Sequence, residues 1–181
     1  MSIYTKVGDK GKTSTLNTKG RKTSKSSLVI HAIGSADEAN SYIGICVSML
    51  PKAKFSKEVS LLINIQNSLF SVGAYLAGSK ISLEKSHIKE LEDYIDEKEK
   101  ILPVLNNFIL PGGSEVSSHL MYARSLVRSL EREVVGLSSV KQIDPDVFVY
   151  LNRLSDLLFI ISRFVNYKLH TKEKVWKGND K

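Results

Sequence analysis

Cysteine, tryptophan, proline and histidine are all scarce in this chain of 181 residues: one Cys, one Trp, four Pro and four His. A single thiol, Cys46, excludes an internal disulfide framework, so the fold has to be held by an apolar core. Ile43, Ile45 and Val47 surround it, the setting of a buried structural thiol in a reducing compartment. No apolar run approaches the roughly 18 residues of a membrane span, and the opening MSIYTK has no apolar leader segment. A cytoplasmic protein with no membrane role is expected. The histidines are scattered and none has zinc spacing. A ferritin-like di-iron centre needs Glu-x-x-His on two helices. Only Glu84-Lys85-Ser86-His87 is offered here, so no metal ligand is assigned.

Acid is also the minority charge, with 19 Asp and Glu against 26 Lys and Arg and a net charge of +7. That balance attracts polyanions, whether nucleic acid or a small one such as ATP. Aromatics are not interleaved with the lysines as base-stacking platforms would be, so nucleic acid is not the expected partner.

What the chain does have is helical periodicity. Ser35-Ala36-Asp37-Glu38 has capping-box spacing and predicts a first helix running to about Leu50, before Pro51. A second is expected over 56–77, and a third, the most polar, over about 83–101 with Ile88, Leu91 and Ile95 inside. The fourth follows Pro111-Gly112-Gly113 with Ser114 as its cap and runs to about Val135. Its seam is Val116, Leu120, Ala123, Val127, Leu130 and Val134. The fifth starts at Asp144-Pro145 and runs to about Lys168 on Leu151, Leu154, Leu158, Ile161 and Val165. Five helices, short connections and no strand alternation predict a single all-α domain, an up-and-down five-helix bundle over 35–168. Residues 1–34 form a glycine-rich basic arm ahead of it, and 169–181 a polar tail.

Three groups of polar residues carry chemistry. Gly8, Gly11, Lys12, Thr13 and Ser14 let backbone amides and hydroxyls approach an anion, or else form a basic arm. The segment is no P-loop, because Lys6 stands where the first glycine belongs. On the fourth helix Arg124, Arg128 and Glu131 share a face. Two guanidiniums one turn apart suit phosphate or carboxylate, although such a stripe is also what a solvated helix face looks like. On the fifth, Asn152 and Asp156 lie one turn apart, with Arg163 further on, the makings of a polar pocket. Phe108 precedes the Pro-Gly-Gly turn, where an aromatic often staples the loop.

Five segments in order resemble the PduO-type ATP:cob(I)alamin adenosyltransferases: IYTKVGDKGKTS at 3–14, SADEANSYIG at 35–44, FILPGGS at 108–114, ARSLVRSLER at 123–132 and YLNRLSDLLF at 150–159. The resemblance spans nearly the whole chain. It implies a cobalamin adenosyltransferase-like bundle, a homotrimer with active sites between subunits, and transfer of the 5′-deoxyadenosyl group of ATP to the Co(I) of cobalamin, with Mg²⁺. ATP is then held by Thr5, Lys6, Val7, Gly8, Thr13 and Ser14 of the arm, by Lys25, by Arg128, Glu131 and Arg132, and by Asn152. Asp37 and Arg124 match a salt bridge across the interface beside the corrinoid. Phe108 matches the aromatic that closes the lower corrin face and excludes the axial base. An electron-donor protein and an adenosylcobalamin-dependent acceptor enzyme are the implied partners. The chain departs at Ser26 and Ser27, where two acids are frequent, at Ser129 for an arginine and at Ala39 for a leucine. The rival readings are a non-catalytic ATP or corrinoid sensor or carrier on the same bundle, and a basic bundle that binds nucleic acid.

Overall fold

The computed structural model describes residues 6, 8–16 and 22–177. Two short strands, β1 (Lys12–Thr13) and β2 (Thr23–Ser24), precede five helices: α1 (Leu28–Met49), α2 (Lys52–Leu76), α3 (Lys85–Glu99), α4 (Glu115–Ser138) and α5 (Pro145–Lys168). The closest helix pairings are α4 with α5, α4 with α1, α1 with α2 and α3 with α5. The bundle is therefore laid out around α4 and α5, which meet along the seam read from the sequence. Val116, Leu120, Ala123, Val127, Leu130 and Val134 are buried on α4, and Leu151, Leu154, Leu158, Ile161 and Val165 on α5.

Both sequence-assigned caps on this pair are present. The Ser114 hydroxyl accepts from the Ser117 amide, and the Asp144 carboxylate accepts from the Asp146 amide ahead of Pro145. α1 differs. It starts at Leu28, seven residues before the capping-box serine, with Ser27 as its extended cap residue. Val29, Ala32 and Ile33 pack on the core, and that burial extends the helix upstream past a local cap signal. Residues 28–34 thus belong to the bundle and not to the arm. α2 also begins earlier than expected, at Lys52, and is broken at Phe55 (φ −129°, ψ 35°). The break seats the Phe55 ring in the core, edge-on to Phe164 at 6.5 Å.

α2 also qualifies the statement about apolar runs. It is 25 residues long with a mean hydropathy of 1.3 over its best 18-residue window, enough by length and composition to cross a bilayer. Its Leu62, Ile65, Leu69, Val72 and Leu76 are buried in the bundle core. The Ile109–Val175 bridge pairs the tail with the loop before α4, so the tail, polar and mostly exposed as read, is docked on the loop by its backbone.

α3 is joined to α2 by a buried polar cluster. The Tyr94 hydroxyl donates to Glu58 Oε1 at 2.8 Å, and Lys98 Nζ lies 3.6 Å from the same oxygen. Lys98 also sits over the Phe164 ring at 4.2 Å. A buried charge is tolerable only with its partner. Lys98→Met alone is expected to destabilise the fold by about 3–5 kcal/mol. Glu58→Leu combined with Lys98→Met should cost clearly less, as read from urea midpoints. Cys46 is wholly buried, and desolvation pushes its thiol up to about 12. At pH 8 a thiol reagent should therefore modify Cys46 only as fast as the chain unfolds. Rapid labelling of the native protein would contradict this burial.

Candidate active site

The arm folds on itself. Lys12 pairs with Ser24 and Thr13 with Thr23. The Gly11 amide donates to Gly8 O at 3.2 Å, and the Lys25 amide donates to Gly11 O at 3.0 Å. This ladder returns Lys25 to the glycine turn, so that a Cβ on Gly8 would lie 3.2 Å from the Lys25 ammonium. The glycine segment and Lys25, apart in the sequence, are brought together by this pairing. Two-residue strands are too short to show alternation, so periodicity could not find it. Lys6 (φ 58°) and Gly11 (φ 70°) occupy the left-handed region, which glycine accepts freely and lysine does not. Thr13 is half-buried, while Lys6, Ser14 and Lys25 are exposed. Thr5 and Val7 lie outside the described residues.

The α4 and α5 stripes do meet. Asn152 Nδ2 donates to Glu131 Oε1 at 3.4 Å, and Asn152 Oδ1 accepts from Arg153 at 3.3 Å. Arg153 in turn pairs with Glu92 at 2.8 Å and with Asp156 at 3.7 Å. Arg128 and Arg132 are exposed and make no ion pair among the described residues. Arg124 is half-buried and stacks on the Phe159 ring at 5.6 Å. Burial first, and then the neighbouring Arg128 charge, pull its pKa below the usual guanidinium value, with Asp156 opposing. Two cations whose fields add leave a site that an anion would relieve. Asp37 is exposed on α1 and forms no ion pair with Arg124 within the chain, among the described residues. The single chain does not bring that pair together.

Arg124 also lines a cavity of about 1110 Å³ with Phe108, Met121, Asp156, Phe159 and Trp176. Phe108 is 80% exposed and stands edge-on to Trp176 at 6.4 Å. An exposed aromatic beside a cavity is available to a ligand, and the stapling role is not what the ring does here. A second cavity of about 750 Å³ between α3 and α5 shares Leu105, Asp156 and Phe159 with the first. Val175 and Trp176 were missed in the sequence. The signal available was an apolar pair, holding the only Trp, inside a tail otherwise rich in Lys. No group of three or more His, Cys, Asp or Glu side chains is placed to hold a metal ion among the described residues.

A sequence profile of the cobalamin adenosyltransferase family matches residues 3–165. The chain belongs to that family. The corrinoid adenosyltransferase MMAB of Bos taurus is 40% identical to it over 188 residues, 98% of this chain and 77% of that protein. The corrinoid adenosyltransferase of Bacillus subtilis is 40% identical over 92% of this chain and 87% of its own length. A solved variant of the PduO-type ATP:corrinoid adenosyltransferase from Lactobacillus reuteri, complexed with cobalamin and ATP, superposes with a TM-score of 0.92 at 32% identity, covering 98% of this chain and all of that one. A further variant of the same protein, complexed with ATP, gives 0.90 at 33% identity over 97% of this chain.

In this adenosyltransferase-family chain the Phe108–Trp176 contact can be read without any ligand, because Trp176 is the single tryptophan. Phe108→Ala should raise acrylamide quenching of its fluorescence while leaving helicity unchanged. Unchanged quenching would mean that the rings do not shield each other.

Proposed function

We infer that this chain transfers the 5′-deoxyadenosyl group of ATP to the Co(I) of a reduced corrinoid, giving adenosylcobalamin and triphosphate. The observation that carries the reading is the adjacency of two unlike sites. A cationic α4 face beside the Glu131–Asn152 bond suits nucleotide, and Arg124 joins that face to an apolar cavity of about 1110 Å³. Relatives of similar length carry the same activity in their names, and the Lactobacillus reuteri structure holds both substrates.

The two tasks of the protein are geometric and electrostatic. Co(I) is itself the nucleophile, so C5′ of ATP has only to be held in line with cobalt. The leaving triphosphate needs positive charge, supplied by the arm amides, Lys6, Lys25 and Arg128, with Arg132 at the edge. Glu131 and Asn152, already bonded to each other, take the adenosine side. Mg²⁺ would arrive with ATP and be held by phosphate oxygens and water. Phe108 faces the cavity as a lower wall for the corrin, occupying the space an axial base would need. Removing that ligand eases reduction of Co(II). An electron donor is required upstream and an adenosylcobalamin-dependent enzyme downstream.

A homotrimer with active sites between subunits accounts for what the single chain leaves open. The hairpin lies apart from the principal helix pairings, and Asp37 has its Arg124 partner only if a second copy supplies it. A buried, protonated Cys46 fits a reducing, cytoplasmic setting.

Purified protein given ATP, Mg²⁺ and chemically reduced cobalamin should yield adenosylcobalamin, followed by its absorption spectrum; no product would end the proposal. Arg128→Ala should lower kcat/KM for ATP by about 100-fold. Phe108→Ala should leave ATP binding intact and lower the cobalt step. Equal loss of both steps in both variants would remove this division of roles.

A further inference from the structure

Near the end of α5, Arg163 and Asn166 are buried polar side chains that the transfer mechanism does not use. Arg163 is 5% exposed and Asn166 is 1% exposed. Arg163 joins two segments that are distant in sequence, and the Asn166 side chain fastens the far end of one of them. Arg163 Nη2 donates to Pro103 O at 2.8 Å, where the loop leaves α3, and its Nε donates to Glu173 Oε1 of the tail at 3.0 Å. Asn166 Nδ2 donates to Gly112 O at 3.1 Å, and its Oδ1 accepts from the Ser114 amide at 2.9 Å and the Ser114 hydroxyl at 3.0 Å. The backbone oxygen of Asn166 also accepts from the Thr171 amide, at 2.9 Å, where the tail turns back.

The loop is thus gripped at both ends from one helix, at Pro103 and at Gly112 and Ser114, and the tail near its start, at Thr171 and Glu173. Just past Glu173 the tail pairs with the middle of the loop: the Leu110 amide donates to Lys174 O and the Trp176 amide to Phe108 O, both at 2.8 Å. Phe108 and Trp176 project from this two-strand strap. The grip at Gly113 is close. A Cβ there would lie 2.3 Å from Asn166 Nδ2 at a φ of +112°, so glycine is required both by the space and by the backbone.

We propose that Asn166 and Arg163 are positioning residues for adenosyl transfer, setting the height of Phe108 and Trp176 in the corrinoid cavity through the strap. The proposal rests on Phe108 lining the corrin. An unpaired buried amide or guanidinium is costly, so each residue has one preferred arrangement of the segments it bonds. The wall of the cavity is then placed by α5, a rigid core helix, and not by the loop that bears the ring.

The test uses the full chain with Asn166→Ala and Glu173→Ala. The second matters because Glu173 lies outside the bundle, so its loss releases the tail while Arg163 keeps its bond to Pro103 O and Asn166 keeps its bonds to the loop. Helicity, ATP affinity by calorimetry, acrylamide quenching of Trp176 and kcat with KM for cob(I)alamin are measured, with Phe108→Ala alongside. Both variants should keep their helicity and bind ATP within about twofold of the parent, with quenching raised. Asn166→Ala should lower kcat by about 10- to 100-fold, the scale of a sub-ångström to 1 Å displacement, and Glu173→Ala should lower it less. Raised quenching with unchanged kcat and corrinoid KM would overturn the proposal. So would loss of helicity and ATP affinity in Asn166→Ala while Glu173→Ala turns over normally, which is the pattern of a merely structural residue. Full turnover by Phe108→Ala would instead remove the reading of Phe108 on which the proposal stands.

Discussion

The rotation of α4 about its own axis is the constraint on which the site depends. Ala123, Val127 and Leu130 are buried in the core, and each is followed by a charged or hydroxyl residue of the site row: Arg124, Arg128 and Glu131. One residue is about 100° of helix, so burying the first set turns the second towards the groove beside α5. There Asn152 meets Glu131 and Phe159 meets Arg124. A slip of α4 by one residue would bury guanidiniums without partners, at a cost of several kcal/mol each. Core packing and the placement of the α4 row against α5 are therefore one requirement.

The helices were legible because that seam is periodic over many residues. α5 starts and ends where Asp144, Pro145 and Lys168 place it, and the Ser114 cap on α4 is observed. The start of α1 was not legible in the same way. Ser35 to Glu38 has the spacing of a cap, but apolar residues upstream gain more from joining the bundle than the cap gains from ending the helix. Local signals lose to tertiary burial whenever both are present. The hairpin was hidden for another reason. Its order comes from backbone bonds between Lys12–Thr13 and Thr23–Ser24, and such bonds leave no side-chain pattern to read.

The tail shows how composition can mislead. Its lysines and glutamate describe a solvated segment, and most of its side chains are indeed exposed. Its order comes from backbone pairing with residues 108–110 and from Glu173 reaching the buried Arg163. Arg163 was noticed in the sequence as part of a polar pocket, and it does line the smaller cavity. Its bonding role runs the other way, tying loop to tail. The partner of a buried charge cannot be read from the sequence positions around it, because it comes from a segment that returns in space.

The titratable groups that burial shifts most lie away from the ligand cavities, which bears on the kind of chemistry this fold supports. Burial raises the pKa of Cys46, Tyr94 and Tyr150, holding each in its neutral form within the core. None of them lines the larger cavity, and there the shifted group is Arg124, which remains a cation. A reaction that relied on a protein nucleophile or general base would need such a group poised in the cavity. Alkylation of Co(I) needs neither, since the metal brings the electron pair and triphosphate leaves as an anion. What remains for the protein is to hold two large substrates at one angle and distance, beside positive charge. Rigid helices with a stapled loop are suited to that task. The same logic explains why the exposed aromatics Phe108 and Trp176 sit on a backbone strap tied to buried polar groups of α5. On the proposed reading, in which Phe108 lines the corrin, such a ring has to be as fixed as the core, although it lies outside it.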